Sequence, residues 1–309
     1  MGGLNQGAEH TQRRTLKIVL SCIGLSIVLL VAALLIVRGI TGRGLGLRSL
    51  SGTIRSTILA VVNQPAVVQS KRGDYSDIIF LHHSTGNNLI EQGGLREILS
   101  QAGYQLWDQS YNDQGLRDPQ GNLTGYAYPV PGDNTDPDGL ARVFRQRAFN
   151  LPINALSGLL QHDVIVIKSC FAPANQIASD GQVEQYKKYY LDIRNRMAQY
   201  PEKLFIIVTT PPLNPAETNP QQATRARALA DWLKSTEFLN GQNNVMVYDL
   251  FDQLAESDTS SPEHNMLPQD YREGSDSHPN RAANQEIAPI FAKAIINSIQ
   301  TYRSSIQDH

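Results

Sequence analysis

Cysteine is scarce in this chain, with two residues among 309, Cys22 and Cys170. Cys22 falls inside a long apolar run and Cys170 stands alone in the remainder, which excludes a disulfide within the polar part of the chain. Cys170, flanked by Ser169 and Phe171 at the end of an apolar strand, reads as a small buried hydrophobe rather than a reactive thiol. Net charge is close to nil, at −2, and no stripe of basic and aromatic residues stands out. Together these argue against a nucleic-acid partner. No internal repeat is visible. Charge is missing altogether from residues 18–37. As a helix that stretch is about 30 Å long, enough to cross a bilayer.

A cleaved signal peptide is the rival reading of the apolar run. Its core usually spans ~7–15 residues and ends in a small-residue cleavage site. This run is longer, and Val37-Arg38-Gly39 offers no such site, so the expectation is an uncleaved anchor. Arg13, Arg14 and Lys17 precede the run, while Arg38, Arg43, Arg48 and Arg55 follow it, close to a tie in flanking charge. A large trailing domain is translocated largely regardless of charge, so the N-terminus is read as cytoplasmic and the domain as extracytoplasmic. The chain then divides into a tail over 1–17, a transmembrane anchor over 18–37, a partly helical juxtamembrane linker over 38–74 and a folded domain over 75–309.

At 41% hydrophobic overall, a chain of this length can bury a substantial core. Short apolar runs at 78–81, 104–107, 163–167, 204–209 and 245–248 read as strands buried on both faces. Helical spacing between and after them covers 89–102, 138–149, 153–161, 183–200, 221–236 and 281–302. The segment 108–138, dense in Asp, Asn, Gly and Pro, reads as a long loop. Strands alternating with helices imply an α/β fold, a five-stranded parallel sheet covered on both faces.

Two loops carry chemistry. The first strand ends in His82-His83-Ser84-Thr85-Gly86, and Asp276-Ser277-His278-Pro279-Asn280 precedes the last helix. A serine hydroxyl attacks an ester only when an imidazole takes its proton, and the imidazole needs a carboxylate to hold its tautomer. Ser84, His278 and Asp276 supply those three groups, each at the carboxyl end of a strand, where open α/β sheets bind ligands. Duller readings exist for each: Ser84 as a helix cap, His278 as a turn residue, Asp276 as a turn cap. His82 and His83 point to opposite faces if the strand continues through them, which counts against a shared metal; His83 is read as a neutral imidazole bordering the pocket. Asn134-Thr135-Asp136-Pro137-Asp138-Gly139 mimics the start of a calcium loop, but the twelfth position is Arg145, so a turn and helix cap is the better reading. Asn122-Leu123-Thr124 fits a glycosylation sequon, a triplet common by chance.

This arrangement resembles the SGNH (GDSL-like) hydrolase superfamily over roughly residues 75–305. Beside the Ser84 and Asp276–His278 blocks, residues 205–212 and 247–251 resemble that superfamily's fourth and fifth strands. The resemblance implies a three-layer flavodoxin-like fold and ester hydrolysis by a serine nucleophile, with no metal or cofactor. His82-His83 stands where the superfamily usually has Gly-Asp, and residues 169–175 replace its usual Gly-x-Asn-Asp. By the same resemblance the oxyanion donors are the backbone N–H of Ser84 with Gly115 and Asn175. The expected function is a membrane-anchored acyl hydrolase whose substrate is an acylated small molecule or glycan. Two alternatives share the fold: transfer of the acyl group to a sugar hydroxyl of an envelope polysaccharide, and a non-catalytic carbohydrate-binding domain.

Overall fold

The computed structural model describes residues 4–41, 47–70, 74–110, 115–130, 137–169 and 175–307. Cys170, Phe171 to Ala174 and the 134–136 part of the calcium-like loop lie outside them.

The chain opens with helix α1 (Leu4–Thr41). Its window Ile23–Ile40 has a mean hydropathy of 2.6 and is nowhere buried against the rest of the protein, so it is long and apolar enough to cross a membrane. The expected linker holds a helix that does more than connect. Helix α2 (Leu47–Ser70) docks on the domain and places Ala60 and Val67 in its core.

The sheet is built from β1 (Asp77–His82), β2 (Gln105–Ser110), β3 (Leu116–Arg117), β4 (Val164–Lys168), β5 (Leu204–Val208) and β6 (Val245–Tyr248). Their order is β3-β2-β1-β4-β5-β6, with every pairing parallel except that of β2 with β3. The five parallel strands therefore follow the flavodoxin-like order, second, first, third, fourth, fifth. The two-residue β3 is an antiparallel edge inside the stretch 108–138, too short to leave a periodic signal in the sequence.

The middle residues of the central strands are apolar because both faces are covered. Ile79, Leu81, Ile165, Ile167, Phe205 and Ile207 meet α2, α5 (Pro137–Phe144), α6 (Ala155–Leu159), α7 (Asp180–Met197), α8 (Pro220–Lys234) and α9 (Thr236–Leu239). Ile78, Phe80, Val164, Val166, Leu204 and Ile206 meet α3 (Ser84–Glu91), α4 (Leu95–Gln101), α10 (Leu250–Leu254) and α11 (Arg281–Gln307). Burying each such side chain stabilises the fold by about 1.5–3 kcal/mol relative to exposing it.

The single helix expected over 89–102 is two helices. Gly94 adopts a left-handed φ of 72°, and a Cβ on Gly93 would lie 2.5 Å from both the Ala288 Cβ and the Asn284 carbonyl of α11. The glycine pair breaks the helix so that α3 can lie against α11 and present its first turn at the end of β1.

Candidate active site

Ser84 is the first residue of α3, separated from the end of β1 by His83 alone. What fixes it there begins beneath it, at His82. The His82 ring is fully buried, and its Nε2 donates to Asp108 Oδ2 of the neighbouring strand at 3.0 Å. Asp108 is also paired with Arg96 of α4, which in turn donates to the Leu106 and Asp118 carbonyls. Burial works to raise the Asp108 pKa, but the His82 hydrogen bond and the charges of His82 and Arg96 outweigh it and hold the carboxyl below its ordinary value. Gly86 lets α3 rest directly on this ring, since a Cβ there would lie 2.4 Å from the His82 Cβ. The histidine standing where Gly-Asp was expected is thus a buried support for the serine turn. His83, also buried, is the N-cap of α3 and places no side chain on the helix's first amides.

The Ser84 hydroxyl faces an imidazole. His278 Nε2 lies 2.6 Å from Ser84 Oγ, and His278 Nδ1 lies 2.7 Å from Asp276 Oδ1. A carboxylate only accepts, so Nδ1 carries the proton of the neutral ring and Nε2 accepts from the serine. Asp276 also accepts the backbone N–H of His278 at 3.2 Å. Its partial burial works to raise the pKa, but the hydrogen bonds from His278 outweigh this and keep Asp276 below the usual carboxylate range. The site is open: the His278 and Asp276 side chains are 33% and 62% exposed. That openness separates it from a second chain of the same chemical order at the other end of the sheet. There Asp77 accepts from His162 Nδ1 at 2.9 Å and Tyr128 OH meets His162 Nε2 at 3.0 Å, all of it buried. Burial drives the Tyr128 pKa well up, and no substrate reaches those atoms, so this trio ties β1, β4 and residues 126–130 together.

The Asp-x-His loop is held by residues that sequence reasoning did not single out. The buried Ser277 hydroxyl accepts the Asn214 N–H at 3.0 Å and donates to Glu217 Oε2 at 2.5 Å. The Asn214 amide grips the Gly274 and Asp276 carbonyls, each at 3.1 Å. Asn280 accepts the Ala283 N–H and so caps α11, while Asn284 of that helix donates to the Pro279 carbonyl. The one available signal was geometric: with Asp276 and His278 on one side of a tight loop, Ser277 has to point to the other.

Asn175 and Gly115 are the two other expected donors. Asn175 is buried, with its amide donating to the Thr210 and Pro211 carbonyls at 3.4 and 2.5 Å and its oxygen accepting from Thr210 Oγ1 at 2.6 Å. Its side chain ties the chain to the turn after β5. Gly115 precedes the edge strand β3, two strands from β1, at a φ of 88° beside Leu123 and Tyr126. The donors nearest to Ser84 Oγ in the chain are the first-turn amides of α3, which a helix N-terminus directs at an anion.

The chain matches no family model and no curated protein. Among solved structures it is similar to a candidate acylhydrolase from Bacteroides fragilis, with 12% identity and a TM-score of 0.42 over 72% of this chain and 87% of that one. It is also similar to a candidate platelet activating factor from Streptococcus pneumonia, at 12% identity and TM-score 0.45, covering 78% and 92%. A GDSL-like lipase from Bacteroides thetaiotaomicron matches at 9% identity and TM-score 0.43, covering 77% and 95%. Such likeness concerns the fold, and the chemistry rests on the residues above.

Proposed function

We propose that this protein is a membrane-anchored serine hydrolase of the SGNH type, which cleaves an ester or another acyl bond. The observation that carries the reading is the solvent-open run of hydrogen bonds from Ser84 Oγ through the His278 ring to Asp276. Ser84 Oγ attacks the acyl carbon as its proton passes to His278 Nε2. The oxyanion that forms meets the first-turn amides of α3, and Asp276 steadies the imidazolium. His278 then gives the proton to the leaving alcohol, and water repeats the cycle on the acyl-Ser84 ester to release the acid. The length and apolarity of helix α1 support the anchor, and the proposal places the domain on the extracytoplasmic side.

Hydrolysis of a small activated ester by the full chain tests this. Ser84→Ala and His278→Ala should each lower kcat by on the order of 10⁴-fold, and the double variant should lose little more, because the two act as a unit. Asp276→Asn should be milder. A chelator should leave the rate unchanged, since the proton leaves Ser84 through an imidazole. Wild-type turnover by Ser84→Ala would contradict the proposal.

A further inference from the structure

Helix α2 has apolar residues on two sides, and the folded domain covers only one. The inner side is docked: Thr53, Ala60 and Val67 are buried, Ser56 exchanges hydrogen bonds with the Ala127 backbone, and Gln64 donates to the Asn150 carbonyl and to Gln161. The outer side carries Ile54, Ile58 and Val62, each four residues from the next and therefore in one row along the helix. Ile58 and Val62 are 57% and 67% exposed. The exposed Leu151 lies in the loop that Gln64 holds beside the helix. Ile153 of that loop, with Val37 and Ile40 at the end of α1, joins Ile54, Thr57 and Ile58 around an apolar cavity of about 250 Å³.

The row is therefore continuous with the end of the apolar window of α1, which stops at Ile40. The residues at the end of a membrane span lie at the bilayer interface, and so does whatever packs against them. Helix α2 contains no Asp or Glu and exposes Arg55 near the apolar row, a combination that suits anionic headgroups. A soluble surface rarely leaves such a contiguous apolar row uncovered.

We propose that α2 is an interfacial helix, with Ile54, Ile58, Val62 and Leu151 resting in the phospholipid surface that α1 enters. The inference builds on the anchor reading and adds that the domain is clamped against the membrane by α2 instead of swinging on a tether.

The test uses the full chain reconstituted in vesicles of phosphatidylcholine and phosphatidylglycerol. Ile58→Trp reports from the outer face of α2, and Gln285→Trp reports from the exposed face of α11, on the opposite side of the sheet. The native Trp107 and Trp232 are buried and give a constant background. With bromine-labelled lipids, the added emission of Ile58→Trp should be blue-shifted and lose about half or more of its intensity, as expected for a side chain at the headgroup–acyl boundary. Gln285→Trp should lose almost none. Val62→Trp repeats the measurement should Ile58→Trp fold poorly. Flotation of the vesicles after a carbonate wash reports separately on α1. A chain that floats while its α2 tryptophans stay unquenched overturns the interfacial helix and leaves the anchor standing. A blue shift without quenching that grows with protein density assigns the face to a second copy and also overturns it. A chain that does not float overturns both.

Discussion

Ser277 occupies the middle of the Asp-x-His loop, and its hydroxyl bridges the Asn214 N–H and Glu217. Ser277→Ala removes the acceptor for a buried amide and should cost about 1–3 kcal/mol, measured by urea unfolding. Because the same bridge sets where His278 stands, kcat on a small ester should fall while KM stays near wild type. Unchanged stability and unchanged kcat would show that the bridge holds nothing. At this scale, the meeting of Ser84, His278 and Asp276 was legible because a hydroxyl, an imidazole and a carboxylate stood in two loops expected at the same end of the sheet. Asn214, Glu217 and Ser277 were not, since ordinary polar residues acquire their meaning only when the turn after β5 folds against the Asp-x-His loop. Asn175 was chosen by its distance from β4 along the chain, which says nothing of its partners Thr210 and Pro211.

Helix α3 is the element that positions Ser84, and its height over the sheet is set by one missing side chain. A Cβ on Gly86 would meet the Cβ and ring of His82, both buried and fixed. Gly86→Ala should therefore lift the first turn of α3, costing about 1–3 kcal/mol of stability. Turnover should drop more than unfolding alone accounts for, when measured well below the melting temperature. An alanine variant with wild-type kcat would mean that the turn has slack. Continuous apolar runs made the five parallel strands readable, and β6 falls on the residues expected. The break between α3 and α4 was hidden because Gly93-Gly94 reads as a tolerated interruption until α11 presses against it. Helix α2 read as a linker because its Gly, Ser and Pro65 dilute the apolar pattern and its docking depends on partners at Ala127, Asn150 and Gln161.

For the whole molecule, the buried network of His82, Arg96 and Asp108 joins β1, β2 and α4 under the site. The Asp108 pKa is lowered in the folded state, so the sign is that of an ordinary stabilising carboxylate. Its contribution is complete above about pH 5, past the unfolded value near 3.9, and is lost as pH falls through the folded value. Asp108→Asn should lower stability at neutral pH by about 3 kcal/mol, as breaking a buried pair does, and should flatten the decline in acid. Urea midpoints from pH 7 to pH 3 check both, and a variant with the wild-type acid decline would remove Asp108 from the account. The parallel pairing of the sheet could be inferred from alternation of strand and helix, because parallel neighbours require crossovers. The closing edge β3 could not, since two residues carry no period.

The central claim is that Ser84 is a nucleophile made reactive by His278, and covalent trapping of the full chain by a fluorophosphonate tests it most directly. The account predicts one phosphonylated residue, located by peptide mass spectrometry at Ser84, with labelling lost in Ser84→Ala and slowed by orders of magnitude in His278→Ala. Labelling of another residue, or no labelling of the folded wild-type protein, would contradict it.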